Sequence, residues 1–240
     1  MATAIIIGVG PVEGLGAQLA LNFSRLDLEI VVAGRTRSKL ETVVELISAD
    51  GGSARACVAD ATDESQVQNL FDEAGSNAPV QLAIYNAGNS TPGNIMEMET
   101  DFFRNSWESI TCGGFLFARE ACRRMVPYQS GTIIFTGASA SLRGKPGFGA
   151  FNSAKAGLRT MAQALAKEVG PEGIHVAHVI IDGIIDGDKI RERAPEFYDS
   201  LGEAGRINLQ GIVDAYEYLY KQDKNAWSFE LDLRTAIESW

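Results

Sequence analysis

Apolar positions along the chain fall into two alternating kinds of run, and the alternation sets the fold class. Thr3 to Ile7 is a short run without polar alternation, which suits a strand covered on both faces. Leu15, Leu19 and Phe23 then recur at helical spacing, so strand passes to helix through Gly8-Val-Gly-Pro-Val-Glu-Gly-Leu-Gly16. Leu28 to Ala33 reads as a second buried strand, and Leu40, Val43, Val44 and Ile47 mark one side of the helix after it. Ala54 to Ala59 is a third strand, followed by a helix through Val67, Leu70 and Phe71 that Thr62 or Asp63 can cap. Val80 to Tyr85 is a fourth strand, Phe102 to Met125 one long helix, and Thr132 to Phe135 a fifth strand. Phe151 opens a helix with Leu158, Met161, Leu165 and Val169 on its inner side, before a sixth strand from Ile174 to Ile181. Ile212 to Tyr220 is a last helix, and Ala226 to Arg234 alternates as a final strand. This order predicts an α/β fold: a doubly wound, Rossmann-type parallel sheet of about seven strands, helices on both faces and right-handed connections. One domain over 1–240 is expected, since 240 residues suit a single core.

Composition narrows the classes without changing that picture. Hydrophobic residues make up 45% and charged residues 22%, an ordinary globular balance, and no apolar run approaches the roughly eighteen residues of a membrane span. The start Met-Ala-Thr runs straight into the first strand, so a cytoplasmic protein is expected. A formal charge of -10 argues against a nucleic-acid surface while leaving room for an anionic cofactor bound locally. Cys57, Cys112 and Cys122 lack C-x-x-C spacing, and His175 and His178 have no third ligand beside them, so neither disulfides nor a metal site is expected.

The glycine cluster carries the first candidate chemistry. At a strand-to-helix turn the leading N–H groups have no internal partner and the helix dipole is positive, so a pyrophosphate can be held without a basic side chain. The spacing Gly10-x-x-x-Gly14-x-Gly16 differs from the common G-x-G-x-x-G. After the second strand, where a Rossmann unit meets the adenosine ribose, stand Arg35 and Arg37 rather than an acidic residue, which favours NADP. Glu13, just before Gly14, opposes a phosphate in the same pocket, but the arginines outnumber it.

Gly10-x-x-x-Gly14-x-Gly16, then Asp60, then Asn86-Ala87-Gly88 resembles the ordered signature of the short-chain dehydrogenase/reductase family over about residues 3 to 187. The resemblance implies that Asp60 binds the adenine amino group, with Ala61 beside it, and that Asn86, Ala87 and Gly88 support the central strand next to the cofactor. It adds Leu15, Lys155, Gly183 and Ile185 to the cofactor-binding set. It also implies a homodimer or homotetramer paired through the long helix from Phe102 and the one after Phe151.

Family members that move hydride use an Asn, Ser, Tyr, Lys set, and this chain departs from it. The tyrosine of Y-x-x-x-K falls on Phe151 while Lys155 remains; the asparagine falls on Thr111; an ungapped count puts Ala138 at the serine, with Ser139 and Ser141 close by. The Pro-Gly after the sixth strand reads Asp182-Gly183, and Gly187 stands for the threonine beyond it. Losing the general acid removes a factor of about a hundred to ten thousand. Ser139 and Asp182 are therefore candidate replacements alongside Lys155, with Asp182 in an apolar setting that could raise its pKa, or in an Asx turn instead. Arg143 could polarise a carbonyl. The leading reading is an NADP(H)-binding oxidoreductase acting on a small carbonyl or alcohol by an atypical mechanism; the alternatives are a non-redox enzyme on this fold or an inactive NADP-binding protein. The charged segment 188–206 corresponds to the family's substrate loop, and Trp227, Phe229 and Trp240 form an apolar tail expected to dock on the body or on a partner subunit.

Overall fold

The computed structural model describes residues 1–76 and 78–238. Its strands are β1 (Ala2–Ile7), β2 (Leu28–Gly34), β3 (Ser53–Val58), β4 (Val80–Tyr85), β5 (Gly131–Thr136), β6 (Ile174–Asp182), β7 (Ile184–Ile185), β8 (Arg206–Ile207) and β9 (Glu230–Arg234). Its helices are α1 (Leu15–Phe23), α2 (Arg37–Ala49), α3 (Glu64–Ala74), α4 (Thr100–Trp107), α5 (Gly113–Met125), α6 (Gly149–Val169), α7 (Asp188–Arg193), α8 (Pro195–Leu201) and α9 (Leu209–Tyr220). Seven strands form one sheet in the order β3-β2-β1-β4-β5-β6-β9, every pair parallel. The order reverses direction between β1 and β4, which opens a crevice at their carboxyl ends, the place where α/β sheets bind ligands.

Alternate residues of each buried strand serve opposite layers. Ile6, Val32, Ile84 and Val179 pack with α1, α2 and α9 through Leu19, Phe23, Leu40 and Tyr216. Ile5, Val31, Ala83 and Val176 pack with α3, α5 and α6 through Phe71, Phe117 and Leu158. Because both faces are covered, the strands read as unbroken apolar runs, and all nine residues of β6 are buried. Of the two candidate caps for α3, Asp63 is the one used: its side chain accepts from the N–H groups of Ser65 and Gln66.

Two elements differ from the sequence expectation. The long helix over 102–125 is helical throughout but is divided by a π-helical turn at Glu108–Cys112, an inserted residue that hydrophobic spacing does not register. The final strand begins at Glu230, not Ala226: Trp227 instead stacks on His175 with ring centroids 5.0 Å apart, and the Phe229 carbonyl, accepting from His178 N at 2.7 Å, leads into the β6–β9 pairing. The tail thus docks on the body of its own chain as far as Phe229, while Trp240 lies outside the described residues. The segment 188–206 forms α7 and α8, and β8 pairs with β7.

Candidate active site

The glycine turn is built by close approach. Gly8 has φ +90°, and a Cβ there would sit 2.5 Å from the Asn86 backbone; at Gly16 it would lie 2.9 Å from Gly8 O and 3.0 Å from Asn86 Nδ2. Asn86 closes the junction by donating from Nδ2 to Gly8 O at 3.2 Å and from N to Ile7 O at 3.0 Å. Gly10 is different, since a Cβ there would meet nothing within 4 Å, so this side of the turn is open. Gly14 is the N-cap of α1 and supplies no side-chain cap, which leaves the first N–H groups of the helix to an outside acceptor. Leu15 anchors that first turn by burying its side chain in the core.

Arg35 and Arg37 follow β2 at the surface; Arg37 lies 3.7 Å from Glu41, while among the described residues no carboxylate lies within 4.0 Å of Arg35. Asp60 holds its own turn, its Oδ1 accepting from Thr62 N and Thr62 Oγ1 at 2.9 and 2.8 Å, and Ala61 is buried beside it. Glu13 does not face a phosphate site uncompensated: Arg191 donates to its carboxylate at 2.8 Å, Asp188 N of α7 donates to Glu13 O at 3.1 Å, and Glu13 N donates to Asp188 Oδ2 at 3.3 Å. Helix α7, in the segment expected to form the substrate loop and called the lid below, is therefore fastened to the glycine turn.

At the carboxyl ends of β4 and β5 and the first turns of α6 the second half of the site comes together. Lys155 is 5% exposed and donates from Nζ to Thr136 O at 2.6 Å. Thr136 Oγ1 donates to Asn86 Oδ1 at 3.0 Å, so the Tyr216 hydroxyl, 2.7 Å away, is the donor to Thr136. Burial first, and then the Lys189 charge, bring the Lys155 ammonium down to about 8. The Phe151 ring lies one turn earlier on α6, its centroid 5.8 Å from Nζ. Thr111, at the expected asparagine position, lies in the π turn and donates to Ala154 O at 2.7 Å. Ser141 is committed to Ala138 O at 2.7 Å, whereas Ser139 is half-buried with no hydrogen bond from its hydroxyl among the described residues.

Asp182 is not the open acid that its apolar neighbours suggested. It is 1% exposed, one Arg143 nitrogen donates to both its oxygens at 2.9 and 3.0 Å, and Arg234 approaches to 3.6 Å. That ion pair also withdraws Arg143 from the role of carbonyl polariser. Gly183 and Ile185 stand directly after Asp182, with Ile185 in register with Ile207 in the β7–β8 pair. Three structural partners escaped the sequence reading. Asn152, next to Phe151, holds the 139–145 turn by donating to Ala140 O and Arg143 O; Tyr216 reaches in from α9; and Arg191 latches the lid. The partners of Tyr216 and Arg191 lie 80 and 178 positions away, beyond any local pattern; the polar Asn152 on the inner face of α6 was the one available signal.

A sequence model of the short chain dehydrogenase family matches residues 2–196, most of the chain. The chain belongs to that family. Among curated relatives is the "NADPH-dependent aldehyde reductase-like protein, chloroplastic" of Arabidopsis thaliana, 30% identical over 216 residues, covering 84% of this chain and 80% of that one. Among solved structures, a short-chain dehydrogenase from Rhodopseudomonas palustris superposes with a TM-score of 0.83 at 36% identity, covering 97% and 98% of the two chains. A metagenomic short-chain oxidoreductase in complex with NADP shares the fold at a TM-score of 0.83 and 19% identity, with 98% of each chain covered.

Proposed function

We propose that this chain is an NADP(H)-binding oxidoreductase that acts on a small carbonyl or alcohol substrate without the tyrosine its family resemblance calls for. The carrying observation is Lys155: it keeps its place in the family motif, is buried at the mouth of the crevice, and reaches the Thr136–Asn86 junction that ends on the glycine turn. The residues present fit the cofactor. The open face at Gly10 and the uncapped start of α1 at Gly14, Leu15 and Gly16 would take the pyrophosphate, Arg35 and Arg37 the 2′-phosphate, and Asp60 with Ala61 the adenine. Asn86, Ala87 and Gly88 would line the central strand, and Lys155, Gly183 and Ile185 the nicotinamide half. The relative named for NADPH dependence agrees with the arginines.

When bound, NADPH supplies a hydride to the carbonyl carbon, so the chain has to deliver a proton to the oxygen. Phe151 has none to give, and Asp182 is held by Arg143. Lys155 is the remaining acid whose pKa lies near neutrality, where general acids work best. Ser139, whose hydroxyl makes no hydrogen bond among the described residues, polarises the oxygen or relays the proton. Asp182 acts on this site by fixing Arg143 and the turn that carries Ser139.

The cofactor assignment is tested by titrating NADPH and NADH into the wild type and Arg35→Ala. NADPH binds more tightly to the wild type, and Arg35→Ala removes most of the difference. Equal affinities in the wild type contradict the assignment.

A further inference from the structure

The mouth of the crevice carries more positive charge than a cofactor site alone accounts for. Lys189 and Arg193 lie four residues apart on α7 and share a face, whereas Arg191 points the other way and is taken up by Glu13 and Asp188. Lys189 donates from Nζ to Asn89 Oδ1 at 2.5 Å, and Arg193 donates to Ser90 O at 3.1 Å. These two acceptors directly follow Asn86-Ala87-Gly88, and Asn86 meets Lys155 through Thr136. One wall of the crevice thus carries Lys189 and Arg193 at its surface with Lys155 buried behind them. Among the described residues none of the three has a carboxylate within 4.0 Å, although acidic residues outnumber basic ones 31 to 21 in the chain.

Each of the two lysines feels a neighbouring cation. After burial, the Lys189 charge is what lowers Lys155; Lys189 is lowered in turn by lost hydration and then by Arg193. Each of the three cations has spent one donor on a neutral oxygen and keeps others, because an ammonium carries three N–H groups and a guanidinium five. Cations gathered against their own repulsion, without a counter-ion, are a site for an anion.

Resting on the oxidoreductase reading above, we propose that Lys189 and Arg193, with Lys155 behind them, form a subsite for the carboxylate of the substrate, so that this protein selects an oxo acid or hydroxy acid over a neutral carbonyl compound. The same chemistry would suit a phosphate of the cofactor, and the test separates the two.

Butanoate and its neutral isostere butyramide are titrated by NMR into the free protein and the NADP+-saturated protein, for the wild type, Lys189→Gln and Arg193→Gln. Butanoate binds the NADP+-saturated wild type roughly tenfold or more tightly than butyramide, and either substitution removes the preference while NADP+ affinity stays within about twofold. Equal binding of the two probes overturns the proposal. So does loss of butanoate binding on saturation with NADP+, which assigns the cations to the cofactor. Failure of NADP+ to bind overturns the cofactor reading instead, and the titration of the free protein then decides the subsite by the same comparison.

Discussion

Gly8 and Gly10 stand two residues apart and do opposite work. Gly8→Ala forces a Cβ to 2.5 Å from the Asn86 backbone at φ +90°, so it destabilises the fold by about 1–3 kcal/mol or more, read as a lower denaturation midpoint. Gly10→Ala meets nothing within 4 Å, so its melting temperature stays near wild type while NADPH affinity falls; unchanged affinity would remove Gly10 from the pyrophosphate site. His178 gives a pH signature. It is fully buried against Glu230 at 3.0 Å, with Arg159 bound to the same carboxylate, and burial brings it down to about 4 despite the carboxylate. A folded-state pKa below the unfolded value means the unfolded chain takes up the proton first, so this stability is complete above about 6.5 and is lost as pH falls through about 4. His178→Gln flattens the fall in melting temperature across that window; an unaltered slope contradicts the assignment. At this scale the sequence was legible where backbone alone sets a residue's place, as at Gly14, the N-cap of α1. It misled where partners are distant: Arg143 lies 39 positions from Asp182, and no local pattern links them.

The strands were legible as elements because a sheet covered on both faces needs continuous apolar runs, and β1, β2, β4 and β6 have them. The π turn inside the long helix was not, since a single local break in apolar spacing does not tell an inserted residue from an ordinary helix. The lid was legible only as a charged segment. Its attachment to the glycine turn rests on exposed ion pairs, each worth about 0–1 kcal/mol, so Arg191→Gln leaves global stability nearly unchanged and instead speeds amide exchange in 188–193. Equal exchange in the two proteins would show that the Glu13 and Asp188 backbone contacts hold the lid without Arg191.

Across the whole molecule, the side of α4 and α5 away from the sheet exposes Phe103, Trp107 and Phe115 at 40%, 41% and 47%. Exposed apolar residues of this size are what a subunit interface would cover, and the family resemblance implies subunit pairing on this long helix. A homodimer or homotetramer is expected in sedimentation, with Trp107→Glu and Phe115→Glu together shifting it toward monomer; a monomeric wild type at micromolar concentration contradicts this. The central claim, that hydride transfer here proceeds without the tyrosine, is met most directly by single-turnover NADPH oxidation. Wild type and Phe151→Tyr are mixed with NADPH and a panel of neutral and acidic carbonyl compounds. The account predicts measurable oxidation by the wild type, rising or unchanged in Phe151→Tyr, where the new phenol sits one turn from the Lys155 ammonium. A wild type that binds NADPH yet oxidises none, beside a Phe151→Tyr protein that does, would contradict it and leave a cofactor-binding protein that has lost its chemistry.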